Sequence, residues 1–249
     1  MYNPFSLTGK TILVVGASSG IGQSTAIECS KMGAKVIVSA RSEEGLSQTI
    51  SMMSGDSHQM IKADITNEED IKKLVDNITK IDGLVLSVGK GLTRPISFCT
   101  KEHHKDIFDI NLFSQIELVR IFYKQKKITK GGSIVIIASI AGISSWTFGN
   151  SIYGASKAAI NSYIRYFAKE FAARKIRVNA ICPGMINTNF INRGTLTDED
   201  FKKDMEAYPL KRYGEPEEVA YGCVYLLSDA TAWVTGSSLV VDGGGRNLK

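Results

Sequence analysis

Seven short apolar runs separated by longer stretches, most with helical periodicity, constrain this chain more than any other feature. The runs fall at residues 11–15, 35–40, 59–61, 84–88, 133–138, 177–181 and 238–241. Most lack polar–apolar alternation, which is the mark of strands covered on both faces, as in a parallel sheet. Helical patterns fall at 21–32, 43–53, 68–79, 101–123, 151–173 and 216–227. Strands joined in this way need right-handed crossovers. The expected fold is therefore α/β, a doubly wound Rossmann sheet of about seven parallel strands with helices on both faces. A chain of 249 residues with 43% hydrophobic content buries one large core readily. No linker, repeat or low-complexity tract breaks it, so residues 1–249 read as one domain.

The first apolar run leads into Gly16-Ala17-Ser18-Ser19-Gly20-Ile21-Gly22, and a helical pattern follows. In such a turn Gly16 permits the sharp bend, Gly20 lets backbone N–H groups approach a pyrophosphate, and Gly22 lets the helix pack on the strand. The helix N-terminus adds partial positive charge. A plain packing turn is the alternative, but its place after the first strand of a β-α-β rhythm favours a dinucleotide. At the end of the second run, where an acid usually holds the adenosine ribose of NAD, stand Ser39, Ala40 and Arg41. A guanidinium suits a 2′-phosphate, so NADP(H) is expected over NAD(H). The alternative is an exposed arginine opening a loop. Asp64 is placed to accept from an adenine amino group, or else to cap a helix near Thr66.

Tyr153 and Lys157 lie four positions apart on the helical pattern 151–173, hence on one face. An ammonium beside a phenol favours the phenolate and makes the tyrosine a usable acid–base group near neutral pH. Ser139 ends the run 133–138, at the sheet edge where ligands bind, and its hydroxyl can hold a carbonyl oxygen beside that phenol. A strand-end serine bonding backbone is the other reading. Asn111, a poor helix former inside the pattern 101–123, is either solvated or buried with an assigned partner. The second is expected, with a water chain to Lys157 as its task.

Jointly these residues resemble the short-chain dehydrogenase/reductase family over essentially the whole chain. The likeness rests on Gly16-x-x-x-Gly20-x-Gly22, Asp64, Asn111, Ser139, Tyr153-x-x-x-Lys157, Pro183-Gly184 and Val241-Asp242-Gly243-Gly244. The resemblance implies that Tyr153 is the general acid/base and that Ser139 orients the carbonyl. It further implies that Lys157 binds the nicotinamide ribose and lowers the tyrosine pKa, while Asn111 holds a relay water. Implied cofactor contacts are Gly16, Ser18, Ser19, Gly20, Ile21, Gly22, Arg41, Asp64, Ile65 and Gly89, with Tyr153 and Lys157. Pro183, Gly184, Ile186 and Thr188 match the segment at the nicotinamide end. Two positions depart from the family pattern: Val15 replaces a threonine, and Leu86-Ser87-Val88-Gly89 replaces Asn-Asn-Ala-Gly. Val234-Thr235-Gly236 and the C-terminal motif look most like the 3-oxoacyl-carrier-protein reductase branch.

Composition narrows the partners. A net charge of +5, with no basic block interleaved with aromatics, argues against nucleic acid. No apolar run approaches the ~20 residues of a bilayer span. Neither a signal peptide nor a paired-cysteine motif is present, so Cys29, Cys99, Cys182 and Cys223 read as free thiols of a cytoplasmic protein, with no metal site. Lys124, Lys126, Lys127 and Lys130 form either a solvated helix end or a dock for an acidic carrier or phosphate-bearing substrate. Ala155, Ala158, Ala159, Tyr163, Tyr166 and Phe167 spread apolar surface around the pattern 151–173, so a partner subunit is expected, and the resemblance, to a family whose members are commonly tetramers, implies a homotetramer or homodimer. The charged segment 189–214, with Phe190, Met205, Tyr208 and Leu210, reads as a substrate lid. His103 and His104 open a helix and are expected in water.

The whole points to an oxidoreductase that reduces a small-molecule carbonyl, possibly carrier-bound. Its rivals are a sugar or alcohol dehydrogenase working oxidatively and a non-catalytic nucleotide sensor.

Overall fold

A computed structural model of the chain describes residues 2–188 and 197–245. Seven strands form one sheet in the order β3-β2-β1-β4-β5-β6-β7, every neighbouring pair parallel. They are β1 (Thr11–Val15), β2 (Lys35–Ala40), β3 (Gln59–Lys62), β4 (Ile81–Leu86), β5 (Ile128–Ile137), β6 (Arg177–Pro183) and β7 (Ser238–Val241). The helices are α1 (Gly20–Lys31), α2 (Glu43–Ser51), α3 (Glu68–Asp76), α4 (Lys101–Phe108), α5 (Ser114–Lys124), α6 (Ser151–Phe171), α7 (Asp198–Ala207) and α8 (Pro216–Leu227).

Both sheet faces are covered, which is why the inner strands carry no polar alternation. Leu13, Leu84, Ile134 and Val178 point into the core under α3, α5 and α6. Their strand neighbours Ile12, Val14, Val85 and Val135 point into the opposite core under α1, α2 and α8. The expected boundaries differ mainly at β4, which starts three residues earlier, and at β5, which starts at Ile128 rather than Ser133. Glycines at 131 and 132 hide that early part of β5 from a propensity reading.

The helix expected over 101–123 is two helices joined by a π turn at Asp109–Phe113, and Asn111 sits at the centre of that turn. Caps follow local chemistry. Asn67 caps α3 by accepting from the Asp70 N–H at 3.1 Å. His103 does not simply face water. Its Nδ1 accepts from the Thr100 N–H and closes a capping box. The lysine patch also divides: Lys127 turns inward, its Nζ donating to the Val75 and Ile78 carbonyls at the end of α3. It is a C-terminal cap rather than part of a docking surface.

Because the strands are parallel, the loops after β1, β4, β5 and β6 all leave the carboxyl edge. The strand order reverses between β1 and β4, so a crevice opens there.

Candidate active site

The turn after β1 is drawn tight against its neighbours. Gly16 has φ +86°, and a methyl group there would meet the Ser87 carbonyl oxygen at 2.4 Å. A methyl group at Gly22 would lie 2.1 Å from the Gly16 carbonyl oxygen, so α1 starts in direct contact with the turn. The Gly16 and Ala17 N–H groups donate to the Ser39 carbonyl, which hangs the turn on β2.

The start of α1 differs from those of α2 and α3. Ser42 and Asn67 cap α2 and α3 through their side chains, and both helices carry acids in the first turn. Ser19 makes no such bond, and the first turn of α1 has no acid. Its N–H groups thus lack a protein anion, and Gly20 leaves the approach open, so the site fits a pyrophosphate. Thr188 closes over it: a methyl group at Gly20 would lie 3.2 Å from the Thr188 methyl. Ser18 packs against Gly45, and Ile21 packs beside the core under α1.

Just after β2, Arg41 is largely exposed, and its guanidinium lies 3.9 Å from Asp64 Oδ2. Asp64 Oδ1 accepts from the Thr66 N–H at 2.9 Å and from the Thr66 hydroxyl at 2.7 Å. One Asp64 oxygen therefore shapes the turn before α3, and the other faces Arg41. An exposed pair of this length is worth about 0–1 kcal/mol, so Arg41 is easily recruited by a stronger anion. Ile65 points its side chain into the core, which leaves its main chain as the contact available to a ligand.

Lys157 is 3% exposed, and its Nζ donates to the Ile137 carbonyl at 2.9 Å, two residues before Ser139. The same ammonium lies 6.0 Å from the centroid of the Tyr153 ring. Burial pulls the Lys157 pKa down from 10.5 to about 8. The Ser139 hydroxyl accepts from the Ala141 N–H at 3.1 Å, as a strand-end serine does. The segment after Ser139 lies against the first turn of α6. A methyl group at Gly142 would be 2.1 Å from the Gly154 carbonyl, so only glycine permits this approach.

Asn111 is fully buried. Its Oδ1 accepts from the Lys90 N–H at 2.7 Å, and its Nδ2 donates to the Lys90 carbonyl and to the Ser156 hydroxyl. Of its two readings, the buried one with assigned partners holds. Gly89 stands between Asn111 and Lys157. A methyl group there would lie 3.3 Å from Lys157 Nζ and 3.6 Å from Asn111 Oδ1. Gly89→Ala is expected to crowd that space and lower kcat about tenfold with a small change in Tm, since the nearest atom ends a flexible side chain. Steady-state kinetics beside a melting curve checks it.

At the end of β6, the Pro183 carbonyl accepts from the Ile140 N–H, and the Gly184 N–H donates to the Val241 carbonyl. Ile186 bridges to Gly214. Of the expected lid, Phe190 and residues 189–196 lie outside the described residues. Tyr208 is buried, its ring edge-on to Tyr213 at 5.7 Å, while Leu210 is exposed. Ser156 was missed in the sequence. It accepts from Asn111 and donates to the Tyr153 carbonyl at 2.7 Å, and the only signal was its place inside the Tyr153–Lys157 segment.

A nucleotide turn at the switch point of a parallel sheet, with a phenol and an ammonium at its mouth, defines a dinucleotide-dependent oxidoreductase. A family model described as enoyl-(acyl carrier protein) reductase matches residues 16–245. A tropinone reductase homolog of Arabidopsis thaliana is 34% identical, over 96% of this chain and 92% of that one. The 3-oxoacyl-[acyl-carrier-protein] reductase of Rickettsia prowazekii is 34% identical over 96% and 97%. A solved putative gluconate dehydrogenase from Agrobacterium tumefaciens superposes with a TM-score of 0.91 at 26% identity, covering 98% of this chain and 99% of its own. The chain belongs to the short-chain dehydrogenase/reductase family, whose members are oxidoreductases that use NAD(H) or NADP(H).

Proposed function

We propose that this enzyme is an NADPH-dependent carbonyl reductase, acting on a 3-oxoacyl thioester or a small ketone. The observation that carries the cofactor choice is Arg41, standing where an acid would hold the ribose of NAD, in a weak pair that a 2′-phosphate would displace. When bound, the cofactor supplies the hydride to the carbonyl carbon. The Ser139 hydroxyl orients the carbonyl oxygen, and Tyr153 gives that oxygen its proton. Lys157, cationic near neutral pH, favours the phenolate that remains, and the space beside Gly89 holds a water linking Lys157 to Asn111.

Support for an apolar substrate comes from the rim. The loops after β4 and β5 are laced by the Arg94 N–H donating to the Gly149 carbonyl at 2.7 Å. They expose Ile96, Phe98, Trp146 (71%) and Phe148 (83%) between Ser139 and Tyr153 or on the facing loop. Such side chains suit an acyl chain or an alicyclic ring better than a polyol. The oxidative reading, as a sugar or alcohol dehydrogenase, draws only on the name of one structural neighbour. A nucleotide sensor would have no use for Tyr153 and Lys157 placed together.

The exposed Tyr163 and Tyr166 on α6 support an assembly of identical subunits, for which a tetramer is the reading. Among the described residues no helix is long and apolar enough to cross a membrane, and Cys29, Cys182 and Cys223 are buried and free, as a cytoplasmic enzyme would have them.

The test is a substrate screen with both cofactors, spanning acetoacetyl thioesters, cyclic ketones and sugars. NADPH is expected to outperform NADH in kcat/KM. Arg41→Ala is expected to lower kcat/KM with NADPH about tenfold or more and leave NADH within about twofold. A wild-type preference for NADH would remove the assignment.

A further inference from the structure

A π turn draws main-chain carbonyls out of the helical ladder, and each one buried without a donor is costly. Around Asp109–Phe113 the Ser114 N–H still donates to the Asp109 carbonyl, and the two side chains that follow add further donors to the carbonyls of the turn. The Ser114 hydroxyl donates to the Asp109 carbonyl at 2.5 Å. Gln115, fully buried at the start of α5, donates from Nε2 to the Ile110 carbonyl at 3.2 Å and the Asn111 carbonyl at 3.0 Å. The same nitrogen also donates to the Val88 carbonyl at 3.1 Å, across in the loop after β4. Two hydrogens thus serve three acceptors, so at least one is shared. The amide orientation follows from this chemistry, since the reverse would set its oxygen against three carbonyl oxygens. Its Oε1 makes no hydrogen bond among the described residues, so the residue is kept for its donors at a cost.

Val88 precedes Gly89, whose missing side chain leaves the space between Lys157 and Asn111, and Lys90 follows, bonded on both main-chain atoms to the Asn111 amide. The Val88–Lys90 turn is therefore pinned to the π turn at two points, from Gln115 and from Asn111. The asparagine pair that the family resemblance leads one to expect at 86 and 87 is absent here, where Leu86 and Ser87 stand. We propose that Gln115 is a positioning residue for proton delivery. It fixes the Val88–Lys90 turn against the π turn and so holds the gap at Gly89 to the width of the relay between Asn111 and Lys157. This rests on the carbonyl-reductase reading above, in which that relay recharges Tyr153.

Gln115→Met keeps the length and volume of the side chain but has no donor. Gln115→Asn is one methylene shorter, retains a donor for its own helix and gives up the reach to Val88, so it keeps the test alive should the methionine variant fail to fold. In each, kcat per NADPH-binding site is expected to fall about tenfold, with KM for the ketone and Kd for NADPH within about twofold. Proton delivery then limits the rate. The solvent isotope effect in D2O rises, and the isotope effect of deuterated NADPH falls. Hydrogen exchange at the Lys90 amide in the cofactor-free protein speeds up at least about tenfold.

A merely structural role would lower Tm and the number of binding sites but leave kcat per site and both isotope effects unchanged, and that outcome overturns the proposal. So does an unchanged Lys90 exchange rate, which needs no turnover to be read. Should wild-type protein reduce no carbonyl in the panel, the reductase reading fails by itself, and the relay role fails with it.

Discussion

Replacing Tyr153 with phenylalanine is expected to lower kcat by about 100-fold or more while NADPH binds almost as before. The substitution removes one oxygen and keeps the ring beside the Lys157 ammonium. Lys157 remains fixed by the Ile137 carbonyl, and Gly154 still allows α6 to approach the loop after Ser139, so the surroundings have no reason to collapse. What disappears is the phenol hydroxyl one helical turn from the buried Lys157 ammonium. Ser139 is no replacement, because an unperturbed aliphatic alcohol is a far weaker acid than a phenol. General-acid contributions of about 10²–10⁴ set the scale of the loss. Single-turnover mixing of ketone with the preformed NADPH complex reads the chemical step directly. Near-normal rates there would show that the proton comes from elsewhere and would withdraw Tyr153 from the role.

The sheet was legible because covering both faces removes polar alternation, and that pattern survives in a single sequence. Strand ends were not, for physical reasons that differ from case to case. The start of β5 runs through Lys130-Gly131-Gly132, residues that promote neither strand nor burial, and it is held there by pairing of Ile128 with Ile81. Lys157 and Asn111 stood out because an ammonium and an amide are costly choices at buried helical positions. Their supports were harder to read. A π turn inserts one residue into a helix without changing composition, so it leaves no periodic trace. Its trace is instead Asn111, Ser114 and Gln115, three side chains able to bond backbone, clustered within five positions and buried. Lys127 shows the converse error. Counted by charge it belonged with Lys124, Lys126 and Lys130, yet its ammonium is spent on the end of α3, a tertiary contact that no local pattern announces.

Lys157→Met is expected to cost about 100-fold or more in kcat and yet to leave a more stable protein. The ammonium is buried and donates to the Ile137 carbonyl, and burial holds its pKa at about 8 against 10.5 when unfolded. A lysine whose folded pKa lies below its unfolded value is bound more tightly by protons in the unfolded chain. It therefore destabilises the fold fully below pH 8, and that penalty is relieved as pH rises from 8 to 10.5. The shift corresponds to about 3 kcal/mol at neutral pH. Methionine fills similar volume without charge, and leaving the Ile137 carbonyl without its donor returns about 1 kcal/mol. The net expectation is a gain of about 2 kcal/mol at pH 7, or about 5 °C in Tm for a chain of this size. The two melting temperatures should cross at about pH 10, where the remaining penalty on wild-type Lys157 has fallen to the ~1 kcal/mol that the lost Ile137 bond costs the variant, and wild type should be the more stable above it. A pH series of melts on both cofactor-free proteins measures this. A variant less stable than wild type at pH 7 would mean that Lys157 is held by favourable contacts rather than kept, against its own cost, for the reaction.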